Sequence, residues 1–461
     1  MENREIVFNL FAYIIKVILS SNTTSNEFTR IETSVMVDKV KISLVKILRA
    51  KIPQIVDSRG GVKILSTKDL NRKLILDLVM YIREYEHNIE CLLLLLHYLD
   101  CALEPVYSNS VGICEDIEKI EPLNCNFESI RIAIFPRVRC EWEHKSQGSY
   151  YHNSIENFIK YFYFCELDDL KDIEVHNYRI SSDVARDAMN KGKLVIGVSP
   201  LTCEKILIDS KYKRNDNKYF KIVGLDKKDI LRYNLKSIIE KAYNKKVDIL
   251  VFPEMLGDEK IIKEVQKDIS HNAPPIIVWP SVWHAEEDNI GNSNKCIITI
   301  QLGAECQEVC KQSKNRCFVD PEQNIEDISK SNPWIVNILH VEGFGRIGIL
   351  ICKDFLDRKN RELLLAKLKT TLILVPSFST GEYSFDTIIA QGKEFDCNIV
   401  WVNSCSAETL PYSKKENFEI IASITNFTKK RMGDAPDNQK FKRKCSRKEC
   451  SQCLYVNEIP F

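Results

Sequence analysis

The stretch Gly345-Arg346-Ile347-Gly348-Ile349-Leu350-Ile351-Cys352-Lys353-Asp354-Phe355 reads as an apolar strand that runs straight into a cysteine and then into charge. Buried strand interiors are common, but here the apolar run stops at Cys352, so the thiol sits at the strand's C-terminal end. In open α/β layers that edge is where sites are built. A second run, Val247-Asp248-Ile249-Leu250-Val251-Phe252-Pro253-Glu254, ends the same way, with a carboxylate just past its apolar residues. Proline supplies no amide to a ladder, so this strand terminates at Pro253.

A thiol with a pKa of ~8.5 is only slightly ionised at neutral pH and needs a base to act as a nucleophile. Glu254 is the candidate base. No histidine lies near the motif, which argues against a Cys/His pairing.

With Phe252-Pro253-Glu254, Gly348-Ile349-Leu350-Ile351-Cys352-Lys353-Asp354, and Gly392-Lys393-Glu394 followed by Ile399-Val400-Trp401-Val402-Asn403, the chain resembles the carbon-nitrogen hydrolase (nitrilase) superfamily. The resemblance covers 193 to 427, about half the chain. It implies a Glu-Lys-Cys triad acting on an amide, nitrile or carbamoyl group, with a lysine between Glu254 and Cys352 and no cofactor required. The segment from Val309 to Phe318 offers Lys311 and Lys314. An apolar residue three positions on, Cys317, favours Lys314; counting from the turn at Gly303 favours Lys311. Glu322 or Glu326, after the lysine loop, could orient the base, as an additional glutamate does in many relatives.

The three residue types belong together chemically. Thiolate attack on an amide or nitrile carbon develops negative charge that a fixed cation and backbone amides stabilise, one such donor being worth about 10² to 10³ in rate. The carboxylate would take the thiol proton, pass it to the departing amine and then activate water. Each residue also has a plainer reading. A cysteine at a strand end is more often a small buried apolar residue, a glutamate after Phe-Pro often marks a helix start, and at least one of the two lysines is a solvated loop charge. Lys353 departs from the Tyr, Trp or Glu that many relatives carry after the cysteine, and puts a second cation beside the thiol. A catalytically degenerate scaffold serving as a protein-interaction or nucleic-acid-binding module is the competing reading.

Outside the resemblance, apolar residues at three- and four-residue spacing predict helices over 38–49, 69–84 and 88–102, with Asp69 or Ser66-Thr67 as caps. The expected organisation is a mostly helical domain over 1–130, a linker or subdomain over 131–192, an α/β domain over 193–428 and a basic, cysteine-containing tail over 429–461. The alternation of short strands with helices from Lys193 implies an α/β layered fold, which the resemblance sharpens to a four-layer αββα sandwich, commonly a homo-oligomer. The helical front end would serve regulation or a protein partner.

At 461 residues and 44% hydrophobic content the chain can bury a sizeable core, while a net charge of +1 gives no global drive towards nucleic acid or membrane. The apolar runs 6–19 and 92–96 are shorter than the ~20 residues that a spanning helix requires. The start shows no secretory signal pattern, so reduced thiols and a cytoplasmic location are expected. In the tail, Cys445, Cys450 and Cys453 suggest a zinc site that lacks one ligand, which the Cys306, Cys310 and Cys317 loop could supply. The basic run from Lys429 to Lys448 could touch nucleic acid.

Overall fold

The computed structural model describes residues 3–21, 38–108, 117–127, 130–142, 155, 159–202, 206–214, 217–269, 272–285, 292–329, 331–395, 397–410, 413–426, 437–443 and 450–461. The chain forms two compact units: Met1–Glu115, Glu121–Val138 and Gly148–Lys171 make the first, and Asp116–Ile120, Arg139–Gln147 and Asp172–Phe461 make the second. These divisions fall elsewhere than at 130, 192 and 428. The chain passes twice into the second unit before settling there at Asp172.

The first unit holds helices α1 (Asn3–Ser20), α2 (Asp38–Lys51), α3 (Arg72–Tyr85) and α4 (Ile89–Ser108). In α1 the buried side chains include Val7, Phe11, Ile14, Ile15 and Ile18, a three- and four-residue spacing that gives the helix one apolar face. Asn71 caps α3, its Oδ1 accepting the Leu74 N–H at 3.1 Å, which corrects the expected caps. Asp69 instead accepts the Ser66 N–H and hydroxyl, closing a separate short turn just before the helix. After α4, β1 (Ile117–Ile120) belongs to the second unit, and β2 (Leu123–Phe127), β3 (Ile130–Pro136) and β4 (Phe162–Glu166) form an antiparallel sheet in the first. The buried Asp100 of α4 ties helix to sheet by accepting the N–H groups of Lys160, Tyr161 and Phe162 at 2.6 to 3.1 Å. Burial pushes this carboxyl up to about 7 against the pull of those amides.

The second unit is a mixed α/β structure built on two large sheets. Its elements follow as β5 (Ile173–Ile180), α5 (Arg186–Lys191), β6 (Lys193–Val198), β7 (Ile206–Arg214), β8 (Asn217–Leu225), α6 (Lys228–Asn244), β9 (Ile249–Val251), α7 (Glu259–Ile269), β10 (Ile276–Val278), β11 (Val282–Ala285), β12 (Asn292–Leu302), β13 (Glu305–Ser313), β14 (Asn324–Glu326), β15 (Trp334–Val341), β16 (Gly345–Ile349), α8 (Lys353–Leu356), α9 (Arg358–Glu362), β17 (Leu372–Ser377), α10 (Tyr383–Ile389), β18 (Asn398–Asn403), β19 (Ile420–Asn426), β20 (Asp437–Lys442) and β21 (Tyr455–Pro460). One sheet has eight strands in the order β1-β5-β15-β16-β17-β18-β19-β20, and the other runs β11-β12-β10-β9-β6-β21 with β13 paired to β12.

The strands that lead into Glu254 and Cys352, β9 and β16, are central, parallel to a neighbour and buried, whereas β13, which leads into Lys314, pairs antiparallel with β12 alone. Buried parallel strands read as continuous apolar runs, and this is why the sequence shows no alternation at 249–251 and 347–351. Leu235, Ile238 and Ile239 of α6 and Ile262 and Val265 of α7 share a core cluster with Leu250 and Phe252. Gly345, at φ +78°, and Gly343, at φ +89°, make the tight turn that returns β15 into β16.

The stretch from 429 is not a free tail. β20 pairs antiparallel with β19 in one sheet, and β21 pairs with β6 in the other. Short polar strands interrupted by basic residues carry no strong periodic signal, which is why the sequence suggested only a basic tail there. Basic residues of this stretch are used locally: Lys440 meets Asp386 at 2.8 Å and Arg443 pairs with Glu408. Among the described residues no helix is long and apolar enough to cross a membrane.

Candidate active site

Three chain segments converge where the two sheets' central strands end. Glu254 follows β9, Cys352 follows β16, and Lys314 follows β13, held there by its N–H donating to the Asn294 carbonyl at 2.8 Å. The Lys314 Nζ lies 2.7 Å from Glu254 Oε1 and 2.6 Å from Glu326 Oε2, with all three side chains buried. Cys352 is 4% exposed, and its Sγ lies 3.8 Å from the Phe378 carbonyl. The thiol and the Glu254 carboxylate are near enough for each to shift the other's ionisation.

Lys311 lies elsewhere. Its ammonium pairs with Glu259 at 3.1 Å and approaches Glu308 at 3.8 Å, because it is still within β13 and faces α7. Glu322 is exposed beside Asn324, whereas Glu326 also accepts the Phe318 N–H at 2.8 Å. The buried Glu326 Oε1 has no hydrogen-bond partner among the described residues.

The Pro376–Phe378 backbone bridges the site. The Cys352 N–H donates to the Pro376 carbonyl at 2.9 Å, the Glu254 N–H to Ser377 at 3.4 Å, and the Phe378 N–H to Glu254 Oε2 at 2.9 Å. Asn294 on β12 donates to Glu254 Oε1 at 2.8 Å. Asp354 accepts the N–H groups of Asn315 and Arg316 at 2.7 to 3.1 Å, fastening the lysine loop to the turn after Cys352. Burial pushes Asp354 up to about 8 while those amides oppose it. None of Asn294, Asp354 or Phe378 was singled out from the sequence. Asp354 lay inside the quoted motif; the other two act through strand register and main-chain atoms, which leave no residue signature.

Backbone strain marks the same places. Cys352 has φ +46° and ψ −102°, and Met255, directly after Glu254, has φ +67°. Such non-glycine outliers cost on the order of 1–3 kcal/mol and cluster where a side chain must be held at a set point.

Burial, then the Glu254 charge, raises the Cys352 thiol well above its ordinary value, and Lys314 only partly offsets this. Burial also raises Glu254 despite the neighbouring ammonium, with Glu326 adding to the rise. For Lys314 burial pulls the other way but the two carboxylates outweigh it, so it stays protonated. The resting arrangement is therefore a neutral thiol beside a carboxylate that is held by a permanent cation. Such a thiol ionises readily only if a neighbouring group takes its proton, and Glu254 is the carboxylate placed beside it.

Of the suggested zinc ligands, Cys445 lies outside the described residues. Cys450, Cys453 and Cys310 are buried, the last in β13, and Cys306 and Cys317 are partly covered. Among the described residues no group of three or more His, Cys, Asp or Glu side chains is arranged to hold a metal ion.

No protein-family model and no curated protein matches the sequence. Part of the chain is similar to solved structures. Over 58% of this chain and 91% of the other, it is similar to an amidase from Nesterenkonia sp., at 12% identity and a TM-score of 0.39. Over 54% and 90% it is similar to Saccharomyces cerevisiae Nit3, a member of branch 10 of the nitrilase superfamily, at 9% identity and a TM-score of 0.35. Likenesses of this strength say nothing of substrate or activity.

Proposed function

We propose that the chain is a carbon-nitrogen hydrolase that cleaves an amide, nitrile or carbamoyl group through a thioester on Cys352. The observation that carries this reading is the buried Glu254–Lys314–Glu326 cluster, at 2.7 and 2.6 Å, electrostatically coupled to a buried thiol on a strained turn. We read the two sheets and their covering helices as the αββα sandwich that such a site requires.

For an amide, Glu254 takes the Cys352 proton as sulfur bonds to the carbonyl carbon, and the carbonyl π electrons move onto oxygen. Lys314 and the Lys353 N–H stabilise that oxyanion; as the first residue of α8, Lys353 has no intrahelical acceptor for its N–H. The oxyanion collapses, the C–N bond breaks, and Glu254 returns the proton to the departing ammonia or amine. Glu254 then takes a proton from water as its oxygen attacks the thioester; sulfur leaves, recovers that proton and is again a thiol, and the acid is released. Lys314 stays charged throughout, and Glu326 holds it in place.

Intact-mass measurement after incubation with a pool of small amides and nitriles tests the scheme. Wild-type protein is expected to gain an acyl mass that maps to Cys352 and is absent from Cys352→Ala. Failure of every amide and nitrile to label a correctly folded wild-type protein would reject the hydrolase reading.

A further inference from the structure

The chemistry above uses only the N–H of Lys353, and its side chain is left over. That side chain lines a cavity of about 480 Å³ with Arg316, Arg358, Asp357, Ile325 and Leu356. The wall consists of chain neighbours of the catalytic cluster. Arg316 lies two residues after Lys314, Ile325 directly precedes Glu326, and Lys353 directly follows Cys352. The Asp354 carboxylate holds two of these segments together through the Asn315 and Arg316 amides, so the Arg316 and Lys353 side chains open onto one space.

The charges there do not cancel. Arg316 Nε meets Asp357 Oδ2 at 3.0 Å, and Arg358 reaches Glu362 at 3.3 Å. Lys353 has no ion-pair partner among the described residues, which leaves one uncompensated positive charge in a cavity that the Arg316–Asp357 pair also lines. A cleft lined by an excess of one charge sign concentrates ligands of the other. Guanidinium and ammonium groups side by side suit an oxyanion, which the arginine can take bidentately.

We propose that this cavity is an oxyanion subsite. It receives a carboxylate or phosphoryl group carried by the amide substrate, with Lys353 and Arg316 as its ligands and Ile325 and Leu356 as apolar walls for the connecting methylenes. The proposal rests on the hydrolase reading and narrows its substrate to acidic amides. Arg316 exchanges part of its contact with Asp357 for the incoming anion.

Two measurements on the full chain separate the subsite from the chemistry. In the first, succinate and inorganic phosphate are titrated calorimetrically into Cys352→Ala protein, and then into the same protein carrying Lys353→Met or Arg316→Gln. At least one anion is expected to bind, each substitution weakening it by about tenfold or more, and the anion that binds distinguishes a carboxylate from a phosphoryl subsite. In the second, Cys352 acylation by succinamate and by 2-phosphonoacetamide is compared with acylation by butyramide. The anionic amide matching the bound ion is expected to lead by about tenfold or more, with the ratio collapsing towards unity in Lys353→Met. Absence of anion binding, binding indifferent to both substitutions, or equal acylation by charged and neutral amides overturns the subsite. Anion binding that depends on both side chains, together with no acylation by any amide, keeps the subsite and rejects the hydrolase reading. Lys353 is exposed, so its substitution leaves the core untouched.

Discussion

Glu254 and Glu326 both reach one ammonium, at 2.7 and 2.6 Å from the Lys314 Nζ, in a place where none of the three side chains meets solvent. With the thiol neutral, the trio carries a net charge of −1, so its members are not equivalent when removed. Lys314→Met strands two buried carboxylates and is expected to cost about 3–5 kcal/mol. Glu254→Gln leaves a neutral pair and is expected to cost far less while abolishing acylation. Urea unfolding at pH 7 compares the two, and a Glu254→Gln protein as unstable as Lys314→Met contradicts this charge balance. The pH dependence has a definite sign. Because the folded-state pKa of Glu254 lies above its unfolded value, its ionisation weakens the fold as pH rises from the ordinary carboxylate range through the raised value. Under the proposed mechanism, which needs Glu254 ionised, activity is expected to rise over the same window. Glu326 contributes to that elevation, so Glu326→Gln is expected to move the acidic limb of kcat/KM to lower pH. An unmoved limb, or one displaced upward, speaks against it.

At the level of elements, what could be read in advance follows how much burial each strand has. Strands at 194–198, 249–252, 276–279, 347–351, 372–376 and 399–403 announce themselves because both faces are apolar, and β6, β9, β10, β16, β17 and β18 overlie them. Glu254 and Cys352 stood out for the same reason, as the polar stops of two such runs. The lysine remained one of two, because only the end of β13 and the Asn294 carbonyl separate Lys314 from Lys311. β20 and β21 escaped notice because Asp437, Lys440, Lys442, Asn457 and Glu458 break any apolar pattern; what makes them strands is the edge offered by β19 and β6. Removing residues 455–461 uncovers the β6 edge and takes away the fully buried Ile459. The shortened protein is expected to melt at least several degrees lower, since losing one buried isoleucine alone costs about 2–5 kcal/mol. An unchanged thermal midpoint counts against β21 as part of the sheet.

On the scale of the molecule, the second unit takes β1 from between segments of the first unit and its other strands from Asp172 onward. A chain beginning at Lys193, where the α/β pattern first becomes visible, lacks β1 and β5. It bares the long edge of β15, which pairs with β5 from Trp334 to Val341. A chain beginning at Asp172 keeps that pairing. The longer version is expected to stay in solution and unfold cooperatively, below the midpoint of the full chain because Trp142, fully buried, is gone. The shorter one is expected to aggregate, and equal behaviour of the two removes β5 from the list of essential strands. The stretch Pro376–Phe378 meets Glu254 and Cys352 alike through its peptide groups. Amino-acid identity there is nearly free so far as the reaction is concerned, whereas spacing is not. Lengthening that stretch by a single residue shifts every carbonyl and amide along it and parts the acid from the sulfur, although each reacting side chain is still present.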